Sequence, residues 1–227
     1  MIALVDGDIL VYRIGFACQQ EADKVYVART LRSFIVDMLL NLDGVEEYEV
    51  FISGDSKDNF RHDYAVTREY KGNRKGGKPK WYDYIRDLLV TQYDTTVSVN
   101  EEADDVIAIR ATQLGKDNCI ICSIDKDFHQ IAGLHYNLVK QEVIEITPEQ
   151  AKMNFYSQFL EGDRIDNIEG VMGIGKYKAS QLLDGKDEDE MFQVCVDKLG
   201  SRERAIENGR LLYLRRQPNE IWSPPDE

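Results

Sequence analysis

The chain has 227 residues, enough for one large or two small domains, and 43% of them are apolar, so a substantial core can be buried. Its opening run Met1-Ile-Ala-Leu-Val is stopped by Asp6 and Asp8, too short for a membrane span or a secretory leader and lacking a basic flank, so a cytoplasmic protein is expected. A formal net charge of −13 argues against a polyanionic partner, but residues 57–80 hold eight basic residues against three acidic ones, so the acid surplus lies elsewhere.

Three short apolar runs rich in β-branched residues end in acids: Ile2-Ala-Leu-Val-Asp6, Glu49-Val-Phe-Ile-Ser-Gly-Asp55 and Cys119-Ile-Ile-Cys-Ser-Ile-Asp125. They read as buried strands. Between the first two, Val25, Ala28, Leu31, Ile35, Met38, Leu39 and Leu42 recur at helical spacing. A second helix is expected from about Pro79 to Gln92, and a third from near Glu102 through Val106, Ile109, Ala111 and Leu114. Strands alternating with helices imply a mostly parallel α/β sheet. Ligands bind such sheets beyond the carboxyl ends of the strands, where Asp6, Asp55, Asp125 and Asp127 fall.

The cysteines are Cys18, Cys119, Cys122 and Cys195. Positions 119 and 122 face opposite sides of a strand and cannot share one zinc, so reduced structural thiols are expected. His62, His129 and His135 have no ligand-pair spacing and read as structural.

After residue 146 the pattern turns to helices and turns. Thr147-Pro-Glu-Gln150 has the form of a capping box, opening a helix to about Leu160. A turn-rich stretch, Gly162 to Gly175, leads into a helix from Lys176 to Leu183. Residues 1–146 are therefore expected to form the α/β domain and 147–227 a helical subdomain packed on it. Asp184 to Glu190 reads as a solvated loop, and the tail from Pro218 to Glu227 as extended.

The strongest chemical signal is five acid groupings: Asp6, Asp55, Glu102-Ala-Asp-Asp105, Asp125-Lys-Asp127, and Asp163 with Asp166. Any one could be a turn or cap residue. Together, at strand ends that converge, they would repel one another unless cations neutralised them. Oxygen ligands without His or Cys select a hard cation such as Mg²⁺ or Mn²⁺ rather than Zn²⁺, and two such ions suit in-line hydrolysis of a phosphodiester.

Two further stretches point to a nucleic-acid backbone. Gly170-Val-Met-Gly-Ile-Gly-Lys-Tyr-Lys178 combines close-approach glycines with a helix start and with Lys176 and Lys178. It lacks the ending of a nucleotide-binding P-loop and follows no strand, so sequence-independent clamping of phosphates fits better. Arg68-Glu-Tyr-Lys-Gly-Asn-Arg-Lys75, with Lys78, Lys80, Trp81, Tyr82 and Tyr84, interleaves cations with aromatics, as unpaired strands require; the bland alternative is a solvated loop with Trp81 and Tyr84 in the core.

In this order the segments resemble the 5′-nuclease family of flap endonucleases, the 5′-nuclease domain of bacterial DNA polymerase I and bacteriophage 5′–3′ exonucleases. The match runs through Val5-Asp-Gly-Asp8, Tyr70-Lys-Gly-Asn-Arg74, Glu102-Ala-Asp-Asp105, Asp125-Lys-Asp127 and Gly162 to Gly175. The resemblance implies a PIN-like α/β fold with a helix-three-turn-helix element acting on DNA with 5′ ends, flaps or nicks; a monomer is expected, and RNA–DNA primers are a candidate further substrate that the sequence does not decide. It implies two Mg²⁺ ions, replaceable by Mn²⁺, and a K⁺ at the glycine-rich turn. Asp6, Asp55, Glu102, Asp104 and Asp105 would serve the first metal, and Asp127, Asp163 and Asp166 the second, with Asp125 between. Lys71 and Arg74 resemble the cations that steady the scissile phosphate, and Tyr70 the residue on which the terminal base stacks. Lys75 would add to the basic strand contact, and Gly173, Gly175, Lys176 and Lys178 would grip duplex.

The chain departs from the family in the short span between Lys71 and Glu102, which argues for a short or open arch in place of one that threads long flaps. Asp8 also stands where many relatives carry an uncharged residue. A PIN-type ribonuclease is the first alternative, opposed by the duplex-gripping turns. A non-catalytic DNA-binding relative is the second, opposed by the intact set of mutually repelling acids.

Overall fold

The computed structural model describes residues 1–74 and 76–225, with Ser56 by its backbone alone. Strand β1 (Ile2–Asp6) leads directly into α1 (Gly7–Ala17), followed by α2 (Lys24–Leu40), β2 (Glu47–Ile52), a 3-10 turn (Ser56–Asp58) and the short α3 (Arg61–Tyr64). Next come α4 (Tyr82–Gln92), β3 (Thr95–Val97), α5 (Ala103–Leu114), β4 (Cys119–Ser123), a second 3-10 turn (Lys126–Gln130), β5 (Gly133–Asn137) and β6 (Glu142–Ile146). The remainder comprises α6 (Pro148–Glu161), the two-residue strands β7 (Gly162–Asp163) and β8 (Ile168–Glu169), α7 (Lys176–Leu183), α8 (Glu188–Leu199) and α9 (Arg202–Leu212).

The main sheet has the order β3-β2-β1-β4-β5-β6 and is parallel except for β6, which runs antiparallel to β5. From β1 the chain steps outward to β2 and β3, then returns to β4 on the other side. That reversal opens a crevice at the carboxyl ends of β1, β2 and β4. Strand alternation supplies two cores. Ala3, Val5, Val50, Ile52, Ile120 and Cys122 face the cluster built with α1, α2 and α4, whereas Leu4, Phe51, Cys119 and Ile121 face α5. Cys119 and Cys122 thus lie on opposite faces, and all four cysteines are buried and unpaired. Each fully buried Val, Leu, Ile or Phe of these cores contributes about 1.5–3 kcal/mol by leaving water. A third core joins α6 to α9 and takes in Tyr70.

The Thr147/Gln150 capping box and the start of α7 at Lys176 are where the sequence places them. Several elements differ. The helix expected from Pro79 begins at Tyr82, whose N–H bonds the Pro79 carbonyl at 3.0 Å in a preceding turn. The acidic run read as a loop opens α8 instead: Asp187 and Glu190 form a capping box, and Glu188, Asp189 and Glu190 sit at the positive end of the helix. Helix α1 is unheralded: it buries Gly7, Leu10, Val11, Ile14 and Gly15 at helical spacing, but the two glycines, the half-buried Ile9 and the exposed Phe16 obscure that face in the sequence; Asp6 caps it through the Ile9 N–H at 3.1 Å. Beyond α9 the described residues form no helix or strand, yet Trp222 returns to the third core against Phe159, with ring centroids 5.5 Å apart. Among the described residues no helix is long and apolar enough to cross a membrane.

Candidate active site

A cleft of about 970 Å³ opens at the crevice. Asp6 enters it from the end of β1, Asp55 from beyond β2, Glu102 and Asp104 from the start of α5, and Asp125 from beyond β4. Asp6 is 2% exposed and accepts from Ser123 Oγ at 2.7 Å. Burial, then the neighbouring Asp8, pushes its pKa up to about 7. Burial together with Asp6, Glu102 and Asp125 pushes Asp104 well above the carboxylate range. Glu102 goes the other way: burial opposes its charge, but Lys71, Arg61 and the hydrogen bonds it accepts from Lys71 and Tyr70 bring it down to about 2.

A second group, Asp127, Asp163 and Asp166, does not line the cleft but is tied to it through Asp125 and through the contacts of Asp166 with Tyr70, Lys71 and Arg74. Burial and the charges of Asp125 and Asp163 push Asp127 up to about 8. Burial also raises Asp125, with Asp166 and Asp163 adding to it against a hydrogen bond from the Asp127 backbone. Asp163, on β7, accepts from the N–H groups of Ile165 at 2.6 Å and Asp166 at 3.1 Å, which orders the turn carrying Asp166. Electrostatically the acids fall into two neighbourhoods, Asp6, Glu102 and Asp104 in one and Asp127, Asp163 and Asp166 in the other, and Asp125 interacts with both.

Lys71 and Arg74 stand among these acids. The Lys71 ammonium pairs with Glu102 and lies 3.8 Å from Asp166, and Arg74 pairs with Asp166 at 2.8 Å. Lys71 has φ 57, and its N–H bonds the Asp166 carbonyl at 3.0 Å. A left-handed backbone costs a lysine of order 1–3 kcal/mol and is held here by these surrounding bonds. Among the described residues no three acids converge as a ready coordination sphere. The donor set nonetheless fits hard divalent cations: the candidate donors are all oxygen, and four of the acids, the buried Asp6 and the half-buried Asp104, Asp125 and Asp127, have raised pKa values that a nearby cation would reverse.

That electrostatic state predicts how metal and pH act together. Asp6 and Asp127 hold protons in the folded chain up to about 7 and about 8, well above their unfolded values. The folded state therefore binds more protons than the unfolded one between roughly pH 4 and pH 8, so metal-free stability falls as pH rises through that window. A divalent ion at 100 times its Kd restores about 2.7 kcal/mol where the carboxylates are free to ionise. Thermal melts with EDTA should show a lower Tm at pH 8 than at pH 5, and Mg²⁺ should raise Tm more at pH 8. A metal-free Tm that holds or climbs over this range would contradict the account.

Three expected roles change. Asp105 does not face the cleft: it is fully buried, pairs with Arg61 at 2.6 and 2.8 Å, and accepts from the N–H groups of Glu102 and Arg215, each at 3.2 Å. Its carboxylate is committed to that cation, and it is no metal ligand in this arrangement. Tyr70 is only 3% exposed and presents no open face for a base; its hydroxyl meets Glu102 at 2.9 Å and Asp166 at 2.8 Å, bridging the two acid neighbourhoods. Trp81 and Tyr84 take the core alternative, with Trp81 Nε1 donating to the Cys18 carbonyl at 3.0 Å. Asp55 lines the rim, exposed, and caps the 3-10 turn through the Lys57 N–H. Lys75 lies outside the described residues.

Tyr12 and Arg86 enter the cleft unannounced, beside Lys78 and Tyr82 of the basic and aromatic stretch. Tyr12 is 41% exposed and meets the Tyr82 ring edge-on at 5.5 Å, and Lys78 lies 4.2 Å from the centre of that ring. Arg86 donates to the Ser53 carbonyl at 2.7 Å and approaches Asp8 at 3.5 Å. With α1 recognised, helical spacing would have put Asp8, Ile9 and Tyr12 on one face beside Asp6.

The segment from Lys71 to α4 forms no helix among the described residues. Pro79 packs where a side chain on Gly15 would stand, 2.5 Å from its Cγ, and the Lys80 N–H bonds Gln19 at 3.0 Å. The bridge is thus fastened along α1. The turn before α7 is open to solvent: Met172 is 98% exposed, Gly173 has φ +79, and Gly175, Lys176 and Lys178 are exposed beside the buried Ile174. Gly162 and Gly170 hold the base of this turn so closely that a Cβ on either would lie within 2.5 Å of the other strand's backbone.

Residues 1–156 match the profile of the 5′–3′ exonuclease N-terminal resolvase-like domain. The chain is 28% identical to DNA polymerase I of Bacillus subtilis (strain 168) over 222 residues, which is 88% of this chain but only 25% of that protein. It therefore spans about a quarter of its polymerase I relatives. Flap endonuclease Xni of Shewanella halifaxensis (strain HAW-EB4) is 29% identical, with 91% of this chain and 86% of that protein covered. The structure of the bacteriophage T5 D15 protein co-crystallised with metal ions superposes with a TM-score of 0.75 at 19% identity, covering 94% of this chain and 89% of that one, which shows the shared fold. From the profile match over most of its length, this chain belongs to the 5′–3′ exonuclease family.

Proposed function

We propose that the chain is a divalent-metal-dependent nuclease that hydrolyses DNA phosphodiester bonds at or near 5′ ends. The observation that carries this reading is the pair of mutually repelling acid neighbourhoods joined by Asp125, with Lys71 and Arg74 set among them. Two bound Mg²⁺ ions would supply charge neutralisation and activation of water for in-line displacement. Asp6, Glu102 and Asp104 would hold one ion, Asp127, Asp163 and Asp166 the other, and Asp125 would face both. Lys71 and Arg74 then turn from the acids toward the scissile phosphate and stabilise the charge that develops on it. Tyr12, the exposed aromatic of the cleft, takes the stacking role that the buried Tyr70 cannot. The glycine-rich turn with Lys176 and Lys178 contacts duplex phosphates through exposed N–H groups and ammonium charge.

Fastening of the bridge along α1 favours entry of the strand from the side of the cleft over threading of its end. The test uses labelled DNA duplexes with a blunt end, a nick, a 5′ flap, an RNA-primed 5′ end, and a flap whose 5′ terminus carries a bulky block. Mg²⁺-dependent cleavage of the DNA ends is expected, with the blocked flap cut within about threefold of the free one. Cleavage confined to RNA, or none with Mg²⁺, would refute the function; a blocked flap left intact would refute side entry alone.

A further inference from the structure

Gln158 is on α6, and its side chain reaches the 3-10 turn Lys126–Gln130. The residue is 8% exposed, and its Nε2 donates to Asp127 Oδ1 at 2.6 Å. Among the described residues, its Oε1 is the one buried side-chain polar atom without a hydrogen-bond partner. One helical turn earlier, Asn154 Nδ2 donates to the His129 carbonyl at 3.0 Å, so two amides on one face of α6 hold the same turn.

A buried acceptor left unpaired costs about 1–3 kcal/mol, so its retention calls for a use. Once Asp127 is ionised, as a carboxylate that holds a cation must be, the amide cannot be reversed, because that would set Oε1 against the carboxylate, acceptor against acceptor. The polarity is therefore defined: the N–H groups face the carboxylate, and the oxygen faces a place that no protein donor fills. Carboxylates that hold cations are oriented by such outer partners, which fix the lone pairs left for the ion.

We propose that Gln158 is a positioning residue for the second cation site: its amide N–H orients Asp127, and its Oε1 accepts a hydrogen bond from an ordered water there. The inference rests on the two-ion reading above. It assigns α6, an element of the helical part, a direct part in setting metal affinity.

The test is calorimetric titration of the whole chain with MnCl₂ in the absence of DNA, comparing wild type with Gln158→Met, which keeps size, and Gln158→Asn, which keeps the amide but is too short to reach. Both variants should bind the second ion about 10–100-fold more weakly, with the first ion unaffected. Their Tm in EDTA and their affinity for a flap duplex in EDTA should stay at wild-type values, and high metal should restore cleavage. Unchanged second-ion affinity in either folded variant overturns the proposal, as does loss of affinity matched by loss of Tm in both. Asp127→Asn serves as the control: it should lose the second ion. If wild type takes up two ions and Asp127→Asn keeps both, the ligand assignment fails; if wild type takes up only one, the two-ion reading falls and the role of Gln158 with it.

Discussion

Replacing Asp163 by Asn, or Asp127 by Asn, should lower Mg²⁺-dependent cleavage by about three orders of magnitude, or roughly 4 kcal/mol in the barrier at 1.36 kcal/mol per tenfold. Asp163 is 8% exposed and Asp127 is pressed by Asp125 and Asp163, so each supplies charge where no solvent can replace it. An amide keeps the shape and removes the charge that a hard cation requires. Binding to a flap duplex in EDTA should fall by less than about threefold, because in the proposed mode the exposed lysines and the glycine-rich turn would contact the backbone elsewhere. Single-turnover cleavage and a fluorescence binding assay separate the two effects. Full cleavage by either variant would remove that residue from the catalytic centre.

Arg61→Met should destabilise the protein by about 3–5 kcal/mol, because it leaves the buried Asp105 carboxylate without its cation. Arg61 is 1% exposed and also donates to the carbonyls of Leu211 at 2.9 Å and Tyr213 at 2.8 Å, so it ties α3 to α5 and to the end of α9. The fall in Tm should be on the order of 10 °C. The double variant Arg61→Met, Asp105→Leu removes both charges and should recover much of the loss, since an apolar pair of similar volume often matches a buried ion pair. It also tests the reassignment of Asp105. A refolded double variant that has lost metal-dependent cleavage, while Asp104 and Glu102 are intact, would return Asp105 to the metal site.

Asp104 and Asp105 show where sequence reading reaches its limit. Neighbours on a helix point about 100° apart, so the pattern Glu-Ala-Asp-Asp cannot bring both acids to one ion. Which of them meets the cleft depends on Arg61, 44 residues earlier in the chain. Tyr70 is similar: flanked by cations it reads as an exposed stacking residue, but its ring belongs to the third core and only its hydroxyl reaches the acids. The basic bridge was visible in the sequence as a short span. Its course along α1 was not, because it depends on Gly15 of that helix and on Cys18 and Gln19 just beyond its end, and two glycines and the exposed Phe16 obscure the helix in the sequence.

The sequence by itself determined the acid clusters, the buried strands that lead to Asp6 and Asp125, the helical caps and the family. Buried parallel strands are continuous apolar runs, and capping residues act within a few positions of their helix, so both signals are local. The tertiary structure decided which acids share an electrostatic neighbourhood, that Asp105 is neutralised by Arg61, and that Gln158 meets Asp127. These depend on the strand order about β1 and on helices arriving from distant parts of the chain, and the energy of a charge is set by whatever those elements bring within a few ångströms of it.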